Sequence, residues 1–216
     1  MVKFIHAADV HLGIMVAGVG KSQKEIAREL KQAAFDAFER VIDTAIEEEV
    51  DALVLAGDLL DSSRTFVKEK LFLQSQLNRL APFGIPVIVA LGNHDAGSAY
   101  VSGEHIYTLG SAVETIEVET RNGDRVAFSG FSYEVPVVAT RKVQEYPAKS
   151  ANCDVHIGVL HGELTTAQGR YAPFSIPELR EKGYDYWALG HIHKCQEVSS
   201  QPCAWYSGTT QGADRK

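Results

Sequence analysis

The feature that most constrains the fold is an alternation of short apolar runs with amphipathic segments over the first 91 residues. Apolar runs at 3–8, 51–56 and 85–91 predict buried strands, while 26–46 carries apolar residues at helical spacing and 65–80 predicts a second helix. Strands that alternate with helices in this way pair in parallel through right-handed crossovers. The sequence therefore predicts an α/β core.

The second half of the chain has a different pattern. Residues 113–119 and 125–131 read as strands on either side of Asn122-Gly123-Asp124, a strong turn signal, so they predict an antiparallel hairpin. Further strands are predicted at 155–160, 184–189 and 204–207, and a capping box at Ser175-Ile-Pro-Glu178 predicts a short helix that Gly183 ends. We expect a core of two mixed sheets flanked by helices.

Length and composition limit the class of protein. With 216 residues and 45% hydrophobic content, the chain is expected to fold as one domain over 1–216. No secretory pattern opens the sequence, no apolar run approaches the roughly 18 residues that span a bilayer, and three cysteines are too few for a disulfide framework. We expect a cytoplasmic protein without membrane contact. A net charge of −7 argues against a broad basic face for nucleic acid.

Potential metal ligands follow five of the apolar runs, at the point where each predicted strand ends. They are Asp9, His11, Asp58, Asn93, His161, His191 and His193. In open α/β sheets, side chains just past the carboxyl ends of strands share one crevice, and glycines beside these residues would allow close backbone approach. Two cations that share Asp58 accommodate all seven groups, and ligands of nitrogen and oxygen without thiolate favour manganese, iron or zinc.

The motifs DxH, GDxxD, GNHD, HG and GHxH, in this order, resemble those of the calcineurin-like metallophosphoesterase superfamily over nearly the whole chain. Within it, the segments ADVHLG, LAGDLLDSS, YDYWALGHIHKCQ and YSGTTQG are most similar to the SbcD-type DNA repair exonucleases and the related YhaO-like proteins. The resemblance implies a four-layer α/β/β/α sandwich and a nuclease that hydrolyses phosphodiesters with two metal ions and a bridging hydroxide.

The resemblance also implies a role for each polar residue. Asp9, His11 and His193 would hold the first metal, Asn93, His161 and His191 the second, and Asp58 would bridge them. Manganese is the activating ion that the resemblance implies. His94 has no metal in this scheme, so we expect it to act as general acid, with Asp95 holding its ring. Asp61 is either a partner of this group or a helix cap.

Substrate and partners stay open at this point. The resemblance implies DNA as substrate, an SbcC-like ATPase as partner, and a homodimer. Because the chain stops soon after YSGTTQG, it is expected to lack the capping region of SbcD-like proteins. The same site also suits small phosphoesters or phosphoproteins, which keeps a phosphodiesterase or phosphatase as the alternative. A non-catalytic scaffold is disfavoured by the complete set of seven ligands.

Overall fold

Two β-sheets pack face to face in the computed structural model, which describes residues 1–13, 24–61, 67–97 and 101–211. The side chains of 24–28 and 30 lie outside this description. The first sheet contains β1 (Phe4–Ala7), β2 (Ala52–Ala56), β3 (Val87–Ala90) and β4 (Ile106–Thr108) in the order β1-β2-β3-β4. All of its described strand pairs are parallel.

The second sheet has six strands and is mixed. It contains β5 (Glu114–Glu119), β6 (Arg125–Gly130), β7 (Val155–His161), β8 (Tyr186–Gly190), β9 (Gln196–Ser200) and β10 (Cys203–Tyr206), in the order β5-β6-β7-β8-β10-β9. The β5–β6 and β9–β10 pairs are antiparallel and the others are parallel. The hairpin predicted around Gly123, which has φ 81°, is confirmed.

Helices cover the outer face of each sheet. Helices α1 (Lys24–Glu47) and α2 (Val67–Asn78) accompany the first sheet, and the start predicted for α2 at Thr65 lies outside the described residues. On the second sheet, α3 (Ile176–Lys182) begins with the predicted capping box between Ser175 and Glu178. It ends at Gly183, whose φ of 75° is readily adopted by glycine.

The alternation of side chains along β2 shows how the layers are held together. Leu53 and Leu55 join the core under α1 and α2, whereas Ala52, Val54 and Ala56 join the core between the sheets, opposite residues such as Phe128 and Ile157 of the second sheet. A third core packs α3 against the outer face of the second sheet. These layers confirm the α/β/β/α sandwich, with the difference that the first sheet is parallel throughout its described strands rather than mixed.

Two short strands, β4 and β9, have no counterpart in the sequence predictions. Both lie at a sheet edge; β4 has only three residues and β9 has a single apolar residue, so hydrophobic periodicity gives them little signal. Among the described residues, no helix is long and apolar enough to cross a membrane.

Candidate metal centre

The carboxyl ends of five parallel strands meet at one edge of the sandwich, and the structure brings all seven predicted ligands together there. Two of the seven follow β1, one follows β2, one follows β3, one ends β7 and two follow β8: Asp9, His11, Asp58, Asn93, His161, His191 and His193. The residues come from both sheets, so the site lies across the sandwich.

The first group of donor atoms is formed by Asp9, His11 and His193. The Nε2 atoms of the two imidazoles are 3.2 Å apart, and each lies 4.0 Å from Oδ1 of Asp9. All three ligand atoms fall within 4.8 Å of one another, which is the arrangement of a metal site. Nδ1 of His11 is buried without a hydrogen-bond partner among the described residues.

The second group of donor atoms surrounds His161. Its Nδ1 faces the backbone carbonyl of Ala56 at 2.9 Å, and because a carbonyl only accepts, this nitrogen carries a proton. The Nε2 atom faces Oδ1 of Asn93 at 3.1 Å and Oδ2 of Asp58 at 3.2 Å. The imidazole ring of His191 lies 5.3 Å from that of His161, centroid to centroid.

Asp58 faces both groups. Its Oδ2 is 3.2 Å from Nε2 of His161 and 3.9 Å from Nε2 of His11, while its Oδ1 accepts a hydrogen bond of 2.8 Å from the backbone N–H of His94. The carboxylate is almost fully buried, at 2% exposure. A carboxylate in this position can serve two cations at once.

Burial and charge set the protonation of these groups. Burial lowers the pKa of His11 and His191 to about 4, which leaves both imidazoles neutral with lone pairs to donate. Burial alone would also lower the pKa of His161, but the Asp58 carboxylate beside it raises that pKa to about 9. Burial opposes ionisation of Asp58, yet the contact with His161 holds its pKa well below the usual range.

The backbone is strained where the ligands are attached. Asp9, His11, Asp58 and His191 have φ values of 52°, 47°, 54° and 101°, a region that residues other than glycine rarely occupy. Strain of this kind costs on the order of 1–3 kcal/mol per residue and persists only where surrounding contacts enforce it. Here the enforcing contacts include the hydrogen bonds from Asp9 N–H to Gly57 O and from His11 N–H to Asp58 O, both 2.9 Å.

Glycines next to the ligands allow the strands to approach closely, as the sequence predicts. A Cβ atom on Gly92 would lie 2.2 Å from Oδ1 of Asp58, and one on Gly57 would lie 2.4 Å from Nδ1 of His161. At Gly190 it would lie 1.9 Å from the carbonyl oxygen of Ala56, which is the oxygen that fixes the His161 ring. Side chains are therefore excluded from these positions by the site itself.

We expect Gly190→Ala to destabilise the protein by about 1–3 kcal/mol or more, because the new methyl group overpacks the junction of the two sheets. It would also displace His161 from Ala56, so metal content should fall together with the thermal midpoint. Calorimetry and metal analysis measure both quantities. The matched control is Gly110→Ala, whose nearest neighbour is the flexible Glu114 side chain at 3.3 Å. Equal stability of the two variants would contradict the steric argument.

His94 lies at the mouth of the site. Its side chain is 45% exposed, its ring packs edge-on against His11 with centroids 5.1 Å apart, and its Nδ1 is 3.6 Å from Oδ1 of Asp61. Asp95, predicted to hold this ring, is fully buried and instead accepts backbone hydrogen bonds from Leu59, Leu60 and Gly92 at 2.8–3.1 Å. The carboxylate beside the His94 ring is therefore that of Asp61.

The three backbone bonds to Asp95 tie the turn after β3 to the loop after β2. Burial, with the charge of Asp58 nearby, raises the pKa of Asp95 to about 6 in spite of these bonds. Asp95 thus fixes the relative positions of Asp58 and Asn93. The alternative interpretation of Asp61 as a helix cap concerns residues 62–66, which lie outside the described part of the chain.

Two tyrosines complete the wall of the site, and neither belongs to the predicted set. The ring of Tyr171 tilts over His191, with centroids 4.7 Å apart, and the Arg170 guanidinium lies 5.9 Å from the Tyr171 centroid. Tyr133 packs edge-on against His161 and donates a 3.0 Å hydrogen bond to its carbonyl. Both tyrosines reach the site because loops pack together in the folded protein. Their spacing in the sequence does not indicate these contacts.

The donor set fits divalent cations. The Nε2 atom of His161 faces a carboxylate and an amide oxygen at 3.1–3.2 Å, so a bound cation would replace the proton on this nitrogen and take all three atoms as ligands. The two donor groups share Asp58, so the arrangement suits a pair of ions. Buried carboxylates and neutral imidazoles without thiolate are ligands that manganese, iron and zinc accept.

A four-layer α/β/β/α sandwich with two clusters of carboxylate and imidazole donors at the ends of its strands is the architecture of a metallophosphoesterase. A family model described as calcineurin-like phosphoesterase matches residues 2–195, and the chain belongs to this family. Its members hydrolyse phosphoester bonds at a dinuclear metal centre.

Similar proteins include bacterial and archaeal relatives. The chain is 38% identical to the uncharacterized metallophosphoesterase YhaO of Bacillus subtilis, over 96% of this chain and 53% of that protein. It is 38% identical to the DNA double-strand break repair protein Mre11 of Haloferax volcanii, over 99% of this chain and 46% of the relative. The chain therefore spans about half the length of these curated relatives.

Solved structures support the fold. A dimetal phosphatase from Danio rerio superposes with a TM-score of 0.51 at 14% identity, covering 94% of this chain and 85% of that one. The protein TT1561 of Thermus thermophilus superposes with a TM-score of 0.52 at 9% identity, covering 97% of this chain and 91% of that one. At these identities the likeness concerns the fold alone.

Proposed function

We propose that this protein is a nuclease that hydrolyses phosphodiester bonds of DNA at a pair of divalent cations. The observation that carries the proposal is the position of the Asp58 carboxylate, which faces His161 at 3.2 Å and His11 at 3.9 Å and so joins two donor groups into one site. A site for two cations at an open edge of the sandwich suits a substrate whose phosphate binds to both ions.

The ligands divide into two sets around Asp58. In this proposal the first cation is held by Asp9, His11 and His193, and the second by Asn93, His161 and His191. Manganese is the proposed ion, as the resemblance to the SbcD-type exonucleases implies, and the imidazoles and hard oxygens of the site, without thiolate, suit it as they suit iron and zinc. When bound, such ions acidify water and neutralise negative charge on the phosphate.

His94 is the proposed general acid. Its exposed ring sits over His11 at the mouth of the site, within reach of a phosphoester held on the cations, and it belongs to neither set of ligands. From there it can neutralise charge on the phosphate and protonate the leaving oxygen. Asp61, 3.6 Å from Nδ1, is the proposed positioning residue for the ring, in place of Asp95.

DNA is favoured over smaller substrates by two observations. Relatives at 26–38% identity are called DNA double-strand break repair proteins, and the wall beside His191 carries a partly buried aromatic ring, Tyr171, with the Arg170 guanidinium next to it. Aromatic faces that bases can stack on, combined with cationic groups, are typical of single-strand binding sites. An exonuclease for DNA repair, located in the cytoplasm, is the form of activity that we propose.

The larger assembly is also a proposal. We propose that 1–216 is a single catalytic domain that acts as a homodimer with an SbcC-like ATPase. Two apolar side chains one turn apart on α2, Val67 and Leu71, are 72% and 65% exposed and support a contact between copies. Sedimentation of Leu71→Glu against the parent protein tests the dimer, since a charge in that contact should leave a monomer.

The test of the activity compares two substrates. Metal-free protein is loaded with manganese, its metal content is measured, and it is given a labelled oligonucleotide and a chromogenic phosphodiester. Cleavage of both, with about two manganese ions per chain, supports the nuclease. Cleavage of the small ester alone would replace it with a phosphodiesterase or phosphatase for small phosphoesters or phosphoproteins. Metal binding without cleavage of either substrate would indicate a non-catalytic scaffold.

A further inference from the structure

A groove of about 340 Å³ lies beside β1, between this strand and the strands β8 and β10 of the second sheet. It exists because β1 is an edge strand, whereas the second sheet continues past β8 through β10 and β9. The rings of Phe4, His6, Tyr186 and Trp205 line the groove. Its volume falls in the range of small-molecule sites.

The chemistry of the groove favours a flat, uncharged ligand. Phe4 and Tyr186 meet edge to face with centroids 5.2 Å apart, and the Tyr186 hydroxyl lies 3.1 Å from Nδ1 of His6. Among the described residues that line the groove, none is Lys, Arg, Asp or Glu. Trp205 is only partly buried, so the groove offers aromatic surface to stack on rather than charge to pair with a phosphate.

Several residues that line the groove are close in sequence to the first donor group. His6 precedes Asp9 by three residues along the chain, and since an extended chain spans about 3.3 Å per residue, the two lie within about 10 Å of each other along the backbone. At the other wall, Cys195 follows His193 by two residues, and the carbonyl of His193 accepts a 3.2 Å hydrogen bond from Thr209, two residues after Ser207. A ligand in the groove is thus a neighbour of a phosphate on the cations.

We propose that this groove holds an unpaired nucleobase of the strand whose phosphate is cleaved, so that the substrate is single-stranded or frayed DNA. The proposal rests on the nuclease function above and specifies which form of DNA is the substrate. A base that is paired and stacked in a duplex has no free face to place in the groove, whereas an unpaired base stacks on aromatic rings irrespective of its identity. We therefore expect little sequence preference.

Tryptophan fluorescence tests the groove without catalysis. Of the two tryptophans, Trp187 is fully buried and Trp205 lines the groove, so quenching by a ligand reports on Trp205. Metal-free protein is titrated with an oligothymidine and with an abasic oligonucleotide of equal length. We expect quenching and about tenfold tighter binding for the oligothymidine. Equal binding of both, or no quenching by either, overturns the proposal.

Variants extend the test to the manganese-loaded enzyme. Trp205→Leu should raise KM for single-stranded DNA about tenfold, and Trp205→Phe, which keeps a ring, should restore most of the affinity. Phe83→Leu removes another exposed aromatic ring, 48% exposed and outside the groove, and should leave KM unchanged. Equal KM values for Trp205→Leu and the parent protein would refute the proposal that the groove binds a base. Quenching by oligothymidine without cleavage of any DNA would keep the groove and reject the nuclease.

Discussion

Asp58→Asn is expected to lower phosphodiester hydrolysis at least about 1,000-fold, which corresponds to about 4 kcal/mol of transition-state stabilisation. The carboxylate faces both donor groups, so its charge and its second oxygen would serve both proposed cations. Asparagine keeps the oxygen that accepts the His94 N–H but loses the anion. We expect the variant to retain fewer than two metal ions per chain after desalting, as measured by elemental analysis.

The fold of this variant should survive, since the amide can keep the 2.8 Å contact to the His94 backbone. Circular dichroism and a thermal melt of the metal-free proteins check this point. A folded Asp58→Asn protein that holds two ions and turns over normally is the result that would remove Asp58 from the centre of the site.

His94→Ala is expected to keep both metal ions and to lower the turnover number on DNA about 10²–10⁴-fold. The ring is exposed at the mouth of the site and outside both donor groups, so its removal should cost proton transfer rather than metal binding. The loss should depend on the leaving group. A nitrophenyl ester leaves without a proton and should be affected far less than the alkoxide of a nucleotide.

Asp61→Asn provides the matched comparison for the His94 ring. If Asp61 positions this ring, the variant should show the same dependence on the leaving group with a smaller loss, because the general acid is present but less well oriented. An equal loss on both kinds of ester would point to a structural role for Asp61. Loss of a metal ion from His94→Ala would make His94 a ligand instead.

Most of the architecture follows from local patterns in the sequence. Apolar runs of strand length, an amphipathic helix between them and the turn at Gly123 are each encoded within a few residues, and their parallel or antiparallel pairing follows from the length of the connections. The edge strands β4 and β9 were not predictable in the same way. Strand β9 owes its position to pairing with β10, which is a property of the folded protein.

The residues of the site were predictable to a similar extent. Ligands at strand ends converge because parallel strands share an edge, so the sequence positions of Asp9, Asp58 and His191 carry the information. The neighbour of His94 was not predictable from spacing: Asp95 is adjacent in the chain, yet its side chain turns inward to three backbone amides. Tyr171 reaches His191 only through the folding of its loop.

The positive φ angles of the ligand residues bear on how this protein can be prepared. Backbone hydrogen bonds between the loops hold those turns in place. Stripping with a chelator should therefore leave a cavity already shaped for reloading, and a single batch of apoprotein could be reconstituted by dialysis with manganese, iron or zinc and compared ion by ion.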